Sequence, residues 1–132
     1  MLFNYVIDTE TTGLNSKTQE MAEISIIRCS DRVQLCRNIR CETPWTANLD
    51  ALMITRKTMA DLDKGHNGSD IVAECNKFFN EDGGTPAHRV IIAHNASFDR
   101  KFLHALWEKN NIEFPALLWL DTMALTRQYA KN

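Results

Sequence analysis

The sequence predicts one α/β domain, a mixed sheet with helices packed on it and an acidic site at the strand ends. Three observations predict it. Short apolar, β-branched runs at 2–8, 21–29, 33–41, 89–94 and 117–121 read as strands. Apolar residues at helical spacing over 70–80 and 96–110 separate the later strands. Carboxylates close two of the apolar runs, Asp8 and Glu10 after the first and Asp121 after the last.

LFNYVID (2–8) stops at carboxylates, as expected of a buried strand whose C-terminal end opens on a site. Asn15, Ser16 and Lys17 mark a turn, and MAEISIIRC and VQLCRNIRC flank a Ser30-Asp31-Arg32 connection that suits a hairpin. From Pro44 to Gly68 strand alternation is missing, which predicts short helical turns between loops. Ser69 is placed to cap the helix over 70–80, whose Ile71, Cys75, Phe78 and Phe79 form one apolar face. RVIIAH (89–94) is a short strand, and Phe98, Phe102, Ala105 and Leu106 define the next helix. After the Pro115 break, LLWLD (117–121) reads as the last strand and TMALTRQYA as the first turns of a further helix.

A length of 132 residues fits a single domain spanning 1–132, with about two thirds of the unfolded surface removed from water. Apolar residues at 44%, with 5 Gly and 3 Pro, exclude a disordered or collagenous chain. The net charge of −2 argues against a sequence-indifferent nucleic-acid coat protein, so any nucleic acid must be met by a local site. The short N-terminal run meets carboxylates without a cleavage site, which predicts neither signal peptide nor membrane span, and a cytoplasmic location. Cys29, Cys36, Cys41 and Cys75 lack C-x-x-C spacing and read as buried free thiols. Trp45, Trp107 and Trp119 read as core, and the pairs Arg56-Lys57 and Arg100-Lys101 as solvated charge rather than a strand-binding groove.

Asp8 and Glu10 lie two apart on an extended strand, whose period of two points both carboxylates to one face. Such neighbours repel unless they share a proton, meet a cation side chain or bind a divalent ion, and no basic residue lies within six positions. Hard oxygen donors suit Mg²⁺ or Mn²⁺. A solvated Asp and Glu at a strand end is the alternative for a bare D-x-E. The continuation Thr11-Thr12-Gly13-Leu14 adds hydroxyls, backbone donors and a glycine that a terminal nucleotide can approach.

With these residues in place, VIDTETTGL resembles the first motif of the DEDD superfamily of 3′→5′ exonucleases (DEDDh type). It is most like the proofreading branch represented by the epsilon subunit of bacterial DNA polymerase III. MAEISII (21–27) resembles that family's second strand, AHNASFDRKFL (93–103) its second motif with Asp99 as the acid, and LDTMAL (120–125) the following strand-to-helix step. The resemblance implies a ribonuclease H-like fold and two-metal hydrolysis of phosphodiester bonds at nucleic-acid 3′ ends, single-stranded DNA favoured. It implies that Asp8 contacts both Mg²⁺ or Mn²⁺ ions, Glu10 the ion that activates water, and Asp99 the second ion, partly through water. Thr11, Thr12, Gly13 and Leu14, with His94, Asn95 and Phe98, match positions that hold the terminal nucleotide.

The branch's third motif, H-x-x-x-x-D, supplies a general base and a fourth carboxylate, and these 132 residues do not reach it. The expected domain is therefore C-terminally truncated relative to the family, feeble or inactive alone, with an apolar sheet face for a DNA polymerase, a second chain or the rest of a longer polypeptide to cover. Asp121 aligns with a strand-end position and reads as structural or helix-capping. His94 with Asp99, and His66 with Asp70, share the H-x-x-x-x-D spacing in the wrong order, and His104 reads as surface or partly buried. The rival reading is a catalytically defective nucleic-acid-binding or polymerase-partner module, and between the two lies half of a split exonuclease completed in trans.

Overall fold

A computed structural model describes residues 1–131. Five strands form one sheet in the order β3-β2-β1-β4-β5, with β1 at Phe3–Thr11, β2 at Met21–Arg28, β3 at Gln34–Asn38, β4 at Arg89–Ala93 and β5 at Leu118–Asp121. The β1–β2 and β2–β3 pairs are antiparallel, and β1–β4 and β4–β5 are parallel. The helices are α1 (Leu49–Thr55), α2 (Met59–Leu62), α3 (Gly68–Asn80), α4 (Ala96–Lys109) and α5 (Thr122–Lys131). This is the predicted mixed α/β sheet, ribonuclease H-like, in which parallel strands require the crossovers that α3 and α4 supply.

Alternation along β1 separates two functions. Tyr5, Ile7, Thr9 and Thr11 are buried, whereas Asn4, Val6 and Asp8 are exposed. On the buried face Tyr5, Ile7, Ile24, Ile26 and Ile91 pack against Ile71, Val72, Cys75 and Phe79 of α3 and Phe102, Leu103 and Trp107 of α4. That contiguous layer holds most of the apolar burial that stabilises the sheet. A smaller cluster of Ala22, Cys41, Leu52 and Leu62 seats α1 and α2 at the sheet end.

Arg89, at 1% exposure, ties the start of β4 to the end of α3. Its guanidinium donates to both Asp82 carboxylate oxygens at 2.9 Å and to the carbonyls of Gly84 and Pro115. Tyr5 Oη donates to Asp82 at 2.6 Å, and burial with the adjacent carboxylate raises its pKa. Burial opposes ionisation of Asp82, but the hydrogen bonds from Arg89 and Tyr5 prevail and hold it below the usual carboxylate range.

Several predicted boundaries move. β1 runs on to Thr11, so both candidate acids lie inside the strand. β3 ends at Asn38 because the chain beyond it pairs elsewhere: Arg40 N donates to the His66 carbonyl and Cys41 N to that of Leu62. Asn67, not Ser69, occupies the cap position of α3, whose first bond runs from Ile71 N to the Asn67 carbonyl. All four cysteines are free, but only Cys41 and Cys75 are buried; Cys29 lies past the end of β2 and Cys36 points outward from edge strand β3. Trp45 is not core but 75% exposed, on a short turn none of whose residues is buried, while Trp107 is fully buried and Trp119 packs at the core margin.

Candidate active site

The site forms where β1 ends beside the start of α4. Asp8 and Glu10 share one face of β1, as the strand period demands, with Asp8 exposed and Glu10 half-buried. Their cross-strand neighbours on β2 are Ser25 and Glu23. The register shifts between Glu10 and Thr11, and this bulge turns the chain into the Thr12–Leu14 loop.

Sequence reasoning missed two residues here. Glu23, directly opposite Glu10, adds a further negative charge, and Lys57 reaches in from between α1 and α2 to pair with Glu23 at 3.2 Å. Registering the predicted hairpin against the first strand reveals Glu23, whereas nothing local marks Lys57. Burial, then the charges of Asp8 and Glu23, push the Glu10 pKa up, and Lys57 only partly opposes them.

Asp99 enters from α4, one turn past an unusual start. Asn95 sits in the left-handed region at φ 65°, ψ 59°, a conformation that costs a non-glycine residue free energy and persists only where neighbours fix it. Asp121 is the neighbour: its Oδ1 accepts from Asn95 N and from Met123 N, both at 2.9 Å. One carboxylate thus caps the entrances of α4 and α5, the helix-capping role expected of Asp121. The amide donors outweigh burial and lower its pKa. The His94 ring lies 3.1 Å from Thr122 Oγ1.

The resulting turn leaves Asp99 only 4% exposed, accepting a hydrogen bond from Thr9 Oγ1 at 2.5 Å. Burial dominates its ionisation, the Asp8 charge adds to it, and the Thr9 bond opposes; the pKa is pushed up to about 6. Two of the three predicted acids therefore hold protons more tightly than free carboxylates. Among the described residues no three His, Cys, Asp or Glu side chains form a ready cation cage, and Asp99 accepts from Thr9. The donor set nonetheless fits a hard divalent ion: oxygen-only, crowded, like-charged and short of compensating cations.

The remaining predicted positions line the adjoining loop and turn. Thr11 Oγ1 donates to the Gly13 carbonyl at 2.7 Å, and Thr12 exchanges bonds with Glu20. A Cβ on Gly13 would lie 2.0 Å from the Gln19 side chain, which fills that space and donates to the Thr46 carbonyl. Leu14 projects from the loop at 86% exposure, and Phe98 is half-buried with its ring centroid 5.1 Å from that of Phe102. His66 lies exposed in its loop, and His104 is part-buried among Phe114 and Trp119, apart from the acids.

A mixed α/β sheet with Asp8 and Glu10 on its central strand and Asp99 on α4, the helix that crosses from β4 to β5, agrees with the resemblance to the DEDD 3′→5′ exonucleases. The RNase_T family model, described as Exonuclease, matches residues 5–132, and the chain belongs to that family. The DNA polymerase III PolC-type of Mycoplasmopsis pulmonis is 27% identical over 124 residues, and that of Latilactobacillus sakei 31% identical over 127. These matches cover 92% and 93% of this chain but only 8% of each polymerase. Among solved structures, E. coli exonuclease I in complex with a dT13 oligonucleotide superposes with a TM-score of 0.79 at 18% identity, over 97% of this chain and 29% of that one. A product-bound exonuclease I gives the same TM-score and identity over 96% of this chain and 31% of that one, so the fold is shared.

Proposed function

We propose that this chain hydrolyses phosphodiester bonds at the 3′ end of single-stranded DNA, with Asp8, Glu10 and Asp99 holding two Mg²⁺ or Mn²⁺ ions. The observation that supports the reading is that Asp8 and Glu10 on β1 and Asp99 on α4 lie near enough for their charges to act on one another, which with burial raises the pKa values of Glu10 and Asp99. When bound, the ions supply an activated water and charge stabilisation for the leaving oxygen. The protein's own part is positional. β1 fixes Asp8 and Glu10 on one face, Thr9 orients Asp99, and Asp121 fixes the turn that delivers it. Leu14 and Phe98 offer apolar surfaces for the base and sugar of the terminal nucleotide, and His94 and Asn95 border them, while Thr11, Thr12 and Gly13, buried and with the threonine hydroxyls bonded within the loop, shape the turn that presents Leu14. We place the activity in the cytoplasm, in keeping with four free thiols. Among the described residues no helix is long and apolar enough to cross a membrane.

One observation favours a second arrangement. Among the described residues no histidine stands with the three acids, and want of a general base costs about 10²–10⁴ in rate. On this reading the residues given hydrolyse slowly, and a base brought by a partner, such as a polymerase seated over the exposed Val6, Leu118 and Leu120, speeds the reaction. The test is release of mononucleotides from a 3′-labelled single strand with Mn²⁺, comparing wild type with Asp8→Ala. Slow release abolished by the substitution supports the nuclease. Equal release from both proteins, or a wild type that neither cleaves nor binds the strand, overturns it.

A further inference from the structure

A groove of about 750 Å³ runs along α4, lined by Ser97, Arg100, Lys101, His104 and Lys109 and closed on one side by Ser16 and Lys17. It begins at the helix turn that carries Asp99 and at the loop that follows Leu14. Ser97 to Lys109 spans about 18 Å of helix axis at ~1.5 Å per residue.

Three cations without an ion-pair partner meet in it. Arg28, Arg37, Arg40, Lys57, Arg89 and Lys109 each pair with a carboxylate. Lys17, Arg100 and Lys101 are among the described cations with no carboxylate within 4.0 Å, and they converge on one groove in a protein of net charge −2, the Arg100 guanidinium also lying 5.7 Å over the Trp119 ring. Burial and the Arg100 charge lower the His104 pKa, as expected beside a positive surface. Two serine hydroxyls complete the lining, and Glu108 is its one carboxylate. Free cations with hydroxyl donors are the groups that contact nucleic-acid phosphates.

We infer that Lys17, Arg100 and Lys101 hold the backbone phosphates of the nucleotides preceding the 3′ end. The inference rests on the 3′-exonuclease reading of the acidic site. The groove contacts charge and not base edges, so it accepts any sequence, and it supplies affinity that the acids, themselves repelled by phosphate, do not.

The test measures binding of a 5′-fluorescein dT12 strand by anisotropy in EDTA at salt from 50 to 200 mM, so that hydrolysis plays no part. Each phosphate contact on a single strand contributes about 0.7 to the slope of log K against log salt. The triple variant K17Q/R100Q/K101Q is expected to lower the slope by about 2, while R32Q/K64Q/K77Q, which removes three exposed cations elsewhere, leaves it unchanged. Unchanged melting temperatures show that both variants fold. Binding of thymidine 5′-monophosphate with Mn²⁺, abolished by Asp8→Ala and intact in the triple variant, reports the acidic site separately. An unaltered slope in K17Q/R100Q/K101Q, or an equal fall in the control, overturns the groove while nucleotide binding preserves the site. A wild type that binds neither ligand overturns both.

Discussion

Replacing Asp99 by Asn should stabilise the metal-free protein. The native carboxyl gives up its proton near pH 6, whereas in the unfolded chain it does so at the ordinary 3.8. Between those values the native state holds more protons, so stability falls as pH rises and the whole loss is present above about pH 6. A shift of about two pH units is worth about 3 kcal/mol at ~1.4 kcal/mol each. Asn mimics the protonated acid and keeps an oxygen for the Thr9 hydroxyl, though desolvating its amide removes part of the gain. Urea denaturation in EDTA should show the variant about 2–3 kcal/mol more stable than wild type at pH 7.5, with a much smaller gap at pH 4.5. Mg²⁺ at 100 times its Kd should add about 2.7 kcal/mol to wild type alone and nearly close the gap. A gap that does not change with pH, or a variant less stable at pH 7.5, refutes the burial argument for Asp99.

Because Glu10 and Asp99 must shed protons to accept a cation, Mn²⁺ affinity measured by calorimetry should rise more than about tenfold from pH 5 to 7; a flat profile removes one or both acids from the ligand set. Asp121→Ala strips an acceptor from two helix entrances and should cost about 1–2 kcal/mol in urea denaturation, with Asp121→Asn recovering most of it. A loss below about 0.5 kcal/mol would mean water replaces the carboxylate. Asp82→Ala leaves Arg89 charged and buried and should cost about 3–5 kcal/mol, and a cost under about 1 kcal/mol would deny that the pair secures β4.

What was legible in the sequence was whatever periodicity or a short motif encodes. Alternation from Phe3 onward placed Asp8 and Glu10 on one face, and the helical spacing of Phe98 and Phe102 placed Asp99 on α4. Groups brought in from distant chain were not legible. Lys57 comes beside Glu10 only because α1 and α2 rest on Ala22 and Cys41, and Thr9 bonds Asp99 only because α4 packs across β1. Trp45 and Cys36 misled for the converse reason, since residue type alone does not say whether a turn or an edge strand has anything to pack against.

The tension between folding and chemistry is concentrated in a single strand. The odd residues of β1, from Tyr5 to Thr9, are held by the core, and the even ones, Asp8 and Glu10, face outward as the candidate acids. Thr9 joins the two sides, because its buried hydroxyl meets the buried carboxylate of Asp99 and partly offsets the burial that favours its protonated form. Thr9→Val keeps the shape and removes the donor, so it should raise the Asp99 pKa further and move the pH midpoint of Mn²⁺ binding upward with little change in packing. A midpoint that stays in place would show that Asp99 is governed by its helix and not by the strand.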